Sequence, residues 1–235
     1  MFNFSEGEIL LIDKELNWTS FDVVNFLKPA IWSYEEKKTG VRNKIKIGHA
    51  GTLDPLATGL LIVCTGKKTK EIDAIQQLPK TYTGTFYIGA TTQSFDREEE
   101  VDKEYPTSHI TEELILSTSK SMIGQQLQTP PVHSAVNING KRSYQLARKN
   151  IEVVLSPKPI EIYRFEIKNI NFPLVDFEVE CSKGTYIRAI ARDFGIKLNS
   201  GAYLHSLRRT KIGNYSVDSA LPVKKFLDML KKLEN

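Results

Sequence analysis

The chain has 235 residues, 40% of them apolar and 26% charged, with a formal net charge of +4 and a pI near 8.9. That length can bury a full core as one large domain or two small ones. No signal peptide and no apolar run near 18 residues is present, which argues against secretion and membrane spanning and leaves a cytoplasmic protein as the expectation.

Cys64 and Cys181 lie far apart in apolar, strand-like runs and read as buried free thiols in a reducing compartment. His49, His109, His133 and His205 show no metal-ligand spacing, so neither a metal nor a disulfide is expected. Charge is uneven. From Cys181 onward there are 11 Lys/Arg against 4 Asp/Glu, whereas residues 96–104 hold six acids and two bases. A chain polarised in this way suits a polyanion on one face.

In chain order, residues 8–14 read as a strand ending in charge. Thr19 or Ser20 caps a helix carrying Phe21, Val24 and Leu27 on one face, with Pro29 near its end. Residues 34–46, with five Lys/Arg around Thr39-Gly40, form a basic loop suited to phosphate. Residues 48–59, G-H-A-G-T-L-D-P-L-A-T-G, suit neither helix nor strand. Their glycines permit unusual backbone angles, and Pro55 pushes Asp54 toward extended or turn geometry. Ile45 and Ile47 precede this stretch and the apolar run Leu60–Cys64 follows it, so it reads as a constrained loop between buried elements. Asp54 is then either a turn aspartate before a proline or a catalytic carboxylate held on a loop. Gly66-Lys67-Lys68-Thr69 is not a phosphate-binding loop, because Leu61 occupies the place of the required first glycine.

Residues 68–78 predict a helix ended by Pro79. Lys80–Ala90 predicts a strand with Tyr82, Phe86 and Ile88 on one face. Thr111 caps a helix with Leu114, Ile115 and Met122. Val136 to Gly140 predicts a strand entering an Asn-Gly hairpin turn, and Tyr144 to Asn150 a short helix. Ile160–Ile170 and Leu174–Cys181 alternate as a hairpin. Gly184 opens a helix with Ile187, Ile190, Ala191, Phe194 and Leu198 on one side and Tyr186 and Arg188 in its first turn. Residues 201–210 are strand-like, and Pro222 starts a last helix. The expected fold class is α+β: a mixed, largely antiparallel central sheet flanked by helices and loops. It is expected as one catalytic domain over residues 1–235, with an inserted subdomain about 96–150 whose Lys141, Arg142, Arg148 and Lys149 could meet RNA.

The 48–59 stretch resembles the catalytic motif of the TruB-type pseudouridine synthases. Leu11–Lys14 with Thr19-Ser20, Lys80-Thr81-Tyr82, Cys181–Arg188 and Leu207–Thr210 match that family in order, from about residue 9 to about residue 230. The resemblance implies a pseudouridine-synthase fold without a C-terminal PUA domain. It implies isomerisation of uridine 55, in the TΨC arm of tRNA, with the target base flipped out. Asp54 is then the catalytic carboxylate. Arg188 pairs with it and keeps it ionised, Tyr186 lies beside the base as a candidate proton-transfer partner, and Tyr82 stacks on the base. Leu207 lines the uracil pocket, His49 meets RNA near the flipped nucleotide, and Lys14 stands at the entrance, where it could meet a phosphate.

No cofactor is implied, since both bond changes occur within one nucleotide. The implied partner is the TΨC stem-loop, with no membrane and no obligate protein partner. This chain departs from the family at Glu15, where a proline usually follows the lysine, and at Gln93, where an aspartate is common. No role is expected for Asp96, and the acidic segment behind it should face away from RNA. Two alternatives stay open: an RNA-binding or RNA-folding protein without turnover, and a pseudouridine synthase for a different RNA.

Overall fold

The computed structural model describes residues 2–132, 137–138, 141–142 and 155–233. They fall into two compact units, one of Met1–Tyr82 with Arg208–Asn235 and one of Thr83–Leu207. The class is α+β, as expected, with pairing that is antiparallel in most ladders and parallel between β1 and β14, defined below.

The first unit opens with β1 (Ile9–Lys14), α1 (Ser20–Thr39), β2 (Ile47–His49), β3 (Ala57–Thr65), a 3-10 turn over Gly66–Glu71 and α2 (Ile72–Gln77). Thr19 and Asp22 build a reciprocal cap on α1: the Asp22 N–H donates to the Thr19 hydroxyl, and the Asp22 carboxylate accepts from the Thr19 N–H. The helix does not end near Pro29. It runs ten residues further, so the expected loop at 34–46 begins only after Gly40, whose φ of 72° closes the helix. One proline removes one backbone donor, and burial of Ile31 and Tyr34 beyond it outweighs that loss. The buried face holds Val23, Val24 and Leu27, while Phe21 is exposed.

β3 explains the unbroken apolar run. It lies beside β1 in the register Lys14↔Gly59 to Ile9↔Cys64. Leu61 and Val63 face the α1 side, and Leu60, Ile62 and Cys64 face a second cluster with Ile75 and Ile212. A strand covered on both faces has no polar alternation to show.

The chain leaves the first unit within β4 (Lys80–Ile88). The second unit then holds β5 (Ala90–Thr92), β6 (Val101–Glu104), α3 (Glu112–Ser121), β7 (Gly124–Gln128), β8 (Asn137–Ile138), β9 (Lys141–Arg142), β10 (Lys158–Asn171), β11 (Leu174–Cys181) and α4 (Ile187–Lys197). β10 and β11 form the expected hairpin, and their inner face stacks Phe177 on Phe86, 4.1 Å between ring centroids, with Phe165 and Phe194 alongside. The expected subdomain falls within this unit. β8 and β9 pair antiparallel on either side of 139–140. The predicted Asn139-Gly140 turn and the Tyr144–Asn150 helix lie outside the described residues.

β12 (Ala202–Ile212) returns the chain to the first unit, which ends with β13 (Tyr215–Ser216), β14 (Leu221–Pro222) and α5 (Val223–Leu233). Of the apolar residues at helical spacing on α5, Phe226 and Leu230 are buried, Leu227 is partly buried and Leu233 is exposed. Cys64 and Cys181 are both buried, and neither is in a disulfide among the described residues. Among the described residues no helix is long and apolar enough to cross a membrane, and no cluster of three His, Cys, Asp or Glu could hold a metal ion.

Candidate active site

In the first unit, the loop between β2 and β3 is held almost residue by residue. The two strands pair from Ile47↔Thr65 to His49↔Val63, and the Ala50 N–H donates to the Ile62 carbonyl at 2.9 Å. Gly51 follows at φ 103°, an angle that favours glycine. Leu53 is bracketed by the Ser20 hydroxyl, which accepts from its N–H at 2.8 Å and donates to its carbonyl at 3.3 Å. The Ala57 N–H donates to the Asp54 carbonyl at 3.0 Å, closing the turn at Pro55. The Pro55 carbonyl accepts from the Asn17 N–H at 2.9 Å. Asp54 itself is half-buried on this fixed frame.

Two buried cations complete the frame. Lys14, reached by the alternation of β1, is fully buried, and its ammonium donates to the carbonyls of Trp18 (2.6 Å), Glu15 (3.0 Å) and Pro55 (3.4 Å). It is therefore turned onto backbone carbonyls, not toward a phosphate in solvent. Burial pushes its pKa down to about 8, against the opposing pull of Asp54. Arg209 is 1% exposed and donates to the carbonyls of Leu60, Gly51 and Thr52. The Tyr82 hydroxyl lies close enough to the guanidinium to favour its charged form. Tyr82 is buried near the start of β4. His49 is half-buried, with Nδ1 unpartnered in the described structure. Burial and then Arg209 hold its pKa below the usual imidazole value, so it is neutral at pH 7. Lys14, His49, Asp54 and Tyr82 thus all belong to this unit.

In the second unit, Tyr186 and Arg188 come together at the start of α4. Tyr186 is the N-cap, and the buried Gln128 amide brackets its backbone: Oε1 accepts from the Tyr186 N–H at 2.9 Å and Nε2 donates to its carbonyl at 3.2 Å. Arg188 is buried. Its Nη1 donates to the Ser94 carbonyl at 3.1 Å, and its Nε lies 3.6 Å from Asp96 Oδ2. Asp96 is 5% exposed and accepts from the Ser94 hydroxyl (2.6 Å) and the Glu98 N–H (2.9 Å). Leu207 is half-buried on β12, although an isolated leucine in a strand would be expected in the core.

Sequence reasoning missed Asp96. The sequence assigns it no role; Arg97 to Glu100 behind it are exposed, but Asp96 turns inward to Arg188. The only local signal was Ser94 two residues earlier, a pattern that favours an Asp–hydroxyl turn. Arg209 was also missed as a component. It lies within the Leu207–Thr210 match, whose pattern carries no sign of its burial.

A family model described as TruB family pseudouridylate synthase (N terminal domain) matches residues 37–187. The tRNA pseudouridine synthase B of Flavobacterium johnsoniae is 51% identical over 227 residues, which cover 97% of this chain and 97% of that protein. The protein of the same name from Phocaeicola vulgatus is 50% identical over 99% of this chain and 97% of its own length. A chain from the crystal structure of a Cbf5-Nop10-Gar1 complex superposes with a TM-score of 0.70 at 26% identity, covering 96% of this chain and 54% of that one. The present chain therefore spans about half the length of that solved protein.

Proposed function

This chain belongs to the TruB family of pseudouridylate synthases, and from that premise we propose that it isomerises uridine to pseudouridine in transfer RNA, at position 55 of the TΨC arm. The observation that carries the proposal is Asp54, a half-buried carboxylate on a loop whose backbone is held from several sides by buried donors. It stands in a chain about half identical, over nearly its whole length, to relatives named for tRNA pseudouridine synthesis.

The reaction breaks the N1–C1′ bond, turns the uracil and joins C5 to C1′. C5 then gives up its proton and N1 gains one, so atoms balance without an external reagent. A single carboxylate can serve such a reaction by attacking the nucleotide or by taking a proton from the sugar. A lone carboxylate also sets the site apart from the paired acids of most glycosidases. Arg188 is proposed to pair with Asp54 and keep it ionised, since a nearby guanidinium lowers a carboxyl pKa. Tyr82 and Leu207 are proposed to hold the flipped base, which has lost its stacking neighbours, and Tyr186 to take part in proton transfer. His49, held neutral, is proposed to meet RNA near the flipped nucleotide by hydrogen bonding and stacking. Lys141, Arg142, Arg148 and Lys149 are proposed phosphate contacts.

The test is incubation of the protein with a TΨC stem-loop and with the same RNA carrying cytidine at position 55. Pseudouridine at 55 in the first and none in the second is expected. Binding without conversion would sink the catalytic reading, and conversion at another uridine would sink the assigned position. Binding should also weaken steeply with salt, and a log–log slope near zero would remove the phosphate contacts.

A further inference from the structure

We propose that Arg209 is a positioning residue that locks the Asp54 loop and Tyr82 into one rigid assembly. This rests on the reading of Asp54 and Tyr82 just given. The twin arginines of β12 are used in opposite ways. Arg208 is partly exposed and makes a two-pronged surface pair with Asp13, at 3.0 and 2.7 Å. Arg209, the next residue, points to the other face of the strand, as strand geometry requires, and is buried.

The Arg209 guanidinium reaches both arms of the loop. Nη2 donates to the Gly51 carbonyl at 3.0 Å and Nη1 to Thr52 at 3.4 Å, on the arm before Asp54. Nε donates to the Leu60 carbonyl at 2.8 Å, on the arm after it. The planar fork thereby closes the loop into a ring that carries Asp54. The Tyr82 hydroxyl lies beside the same group. Among the described residues no carboxylate pairs with Arg209, so its charge is spent on orienting three carbonyls and one phenol.

The backbone shows the same fit. A Cβ on Gly59, at φ 102°, would collide with the Arg209 carbonyl oxygen. Glycine is needed for β3 to approach this closely, and the close approach brings the fork within reach of Leu60. A merely structural tie could be made by any donor. Joining two loop arms and a phenol calls for a group with five N–H bonds in a fixed plane. Lysine has a single nitrogen and can serve one arm, not both.

The experiment compares Arg209→Lys, Tyr82→Phe and the double variant for TΨC stem-loop affinity and for single-turnover conversion, after a melting curve has shown each to be folded. Arg209→Lys is expected to bind within about threefold of wild type and to convert about a hundredfold more slowly, the scale of a misplaced catalytic group. In the Tyr82→Phe background the same substitution should cost about tenfold less, because part of its effect passes through the hydroxyl. Wild-type turnover in Arg209→Lys, or costs that multiply in full, would overturn the proposal. A second measurement does not need a folded Arg209 variant. The guanidinium N–H resonances of Arg209 should shift in Tyr82→Phe, and unchanged resonances would overturn the link. If the wild type converts no RNA, the proposed function fails while these resonances still decide whether Arg209 holds Tyr82.

Discussion

Arg209 in the first unit and Arg188 in the second are both buried guanidinium groups, and the protein treats them differently. Arg209 is surrounded by backbone carbonyls and a phenol, so it serves as a clamp. Arg188 has a carboxylate, Asp96, held in turn by the Ser94 hydroxyl and the Glu98 N–H. Burying an unpaired charge is costly, and removing one member of a buried pair leaves the other uncompensated. The comparison teaches that a clamp fails by loosening geometry, whereas a pair fails by losing a charged partner.

That difference gives an order of effects. Asp96→Ala should be the most damaging, because it removes the carboxylate that accepts from the Ser94 hydroxyl and the Glu98 N–H beside the buried Arg188. We expect a loss of about 3 kcal/mol of stability by denaturant unfolding, with conversion falling further than RNA binding. Equal stability in Asp96→Ala would erase the contrast between the two arginines. Gly59→Ala comes next. Its Cβ would collide with the Arg209 backbone at a positive φ, and a cost of roughly 2–3 kcal/mol is expected in the same measurement. Arg208→Ala removes a partly exposed pair and should cost no more than about 1 kcal/mol, leaving turnover near wild type.

Lys14 supplies a pH-dependent version of the comparison. Its pKa of about 8 in the folded chain lies below its ordinary 10.5. Between those values the unfolded chain holds a proton that the folded chain has released, so folding is favoured as pH rises. The stability of wild type relative to Lys14→Met should therefore rise from about pH 8 toward 10.5. A flat difference would mean that Lys14 is not titrating in the buried site.

Much of the scaffold could be read from local pattern. The Thr19 cap, the β10–β11 hairpin and the apolar run of β3 each follow from spacing or composition within a few residues. The loop at 48–59 announced itself because glycine and proline exclude regular structure. What stayed hidden depends on partners far away in the chain. Gly51 and Arg209 are 158 residues apart, and Arg188 and Ser94 are 94 apart. Nothing local separates buried Arg209 from half-exposed Arg208, and strand alternation shows only that they face opposite ways. Lys14 ends an alternating strand like a solvated lysine yet turns inward onto two nearby carbonyls, Glu15 and Trp18, and a third, Pro55, 41 residues on. The continuation of α1 past Pro29 was hidden for a related reason: the packing that sustains it comes from other elements.

The most direct test of the central claim is conversion of a TΨC stem-loop by wild type and by Asp54→Asn, with RNA affinity measured alongside. The substitution keeps the size of the side chain and removes its charge. The account predicts that Asp54→Asn binds the RNA as wild type does and forms no pseudouridine. Equal conversion by the two proteins would contradict it.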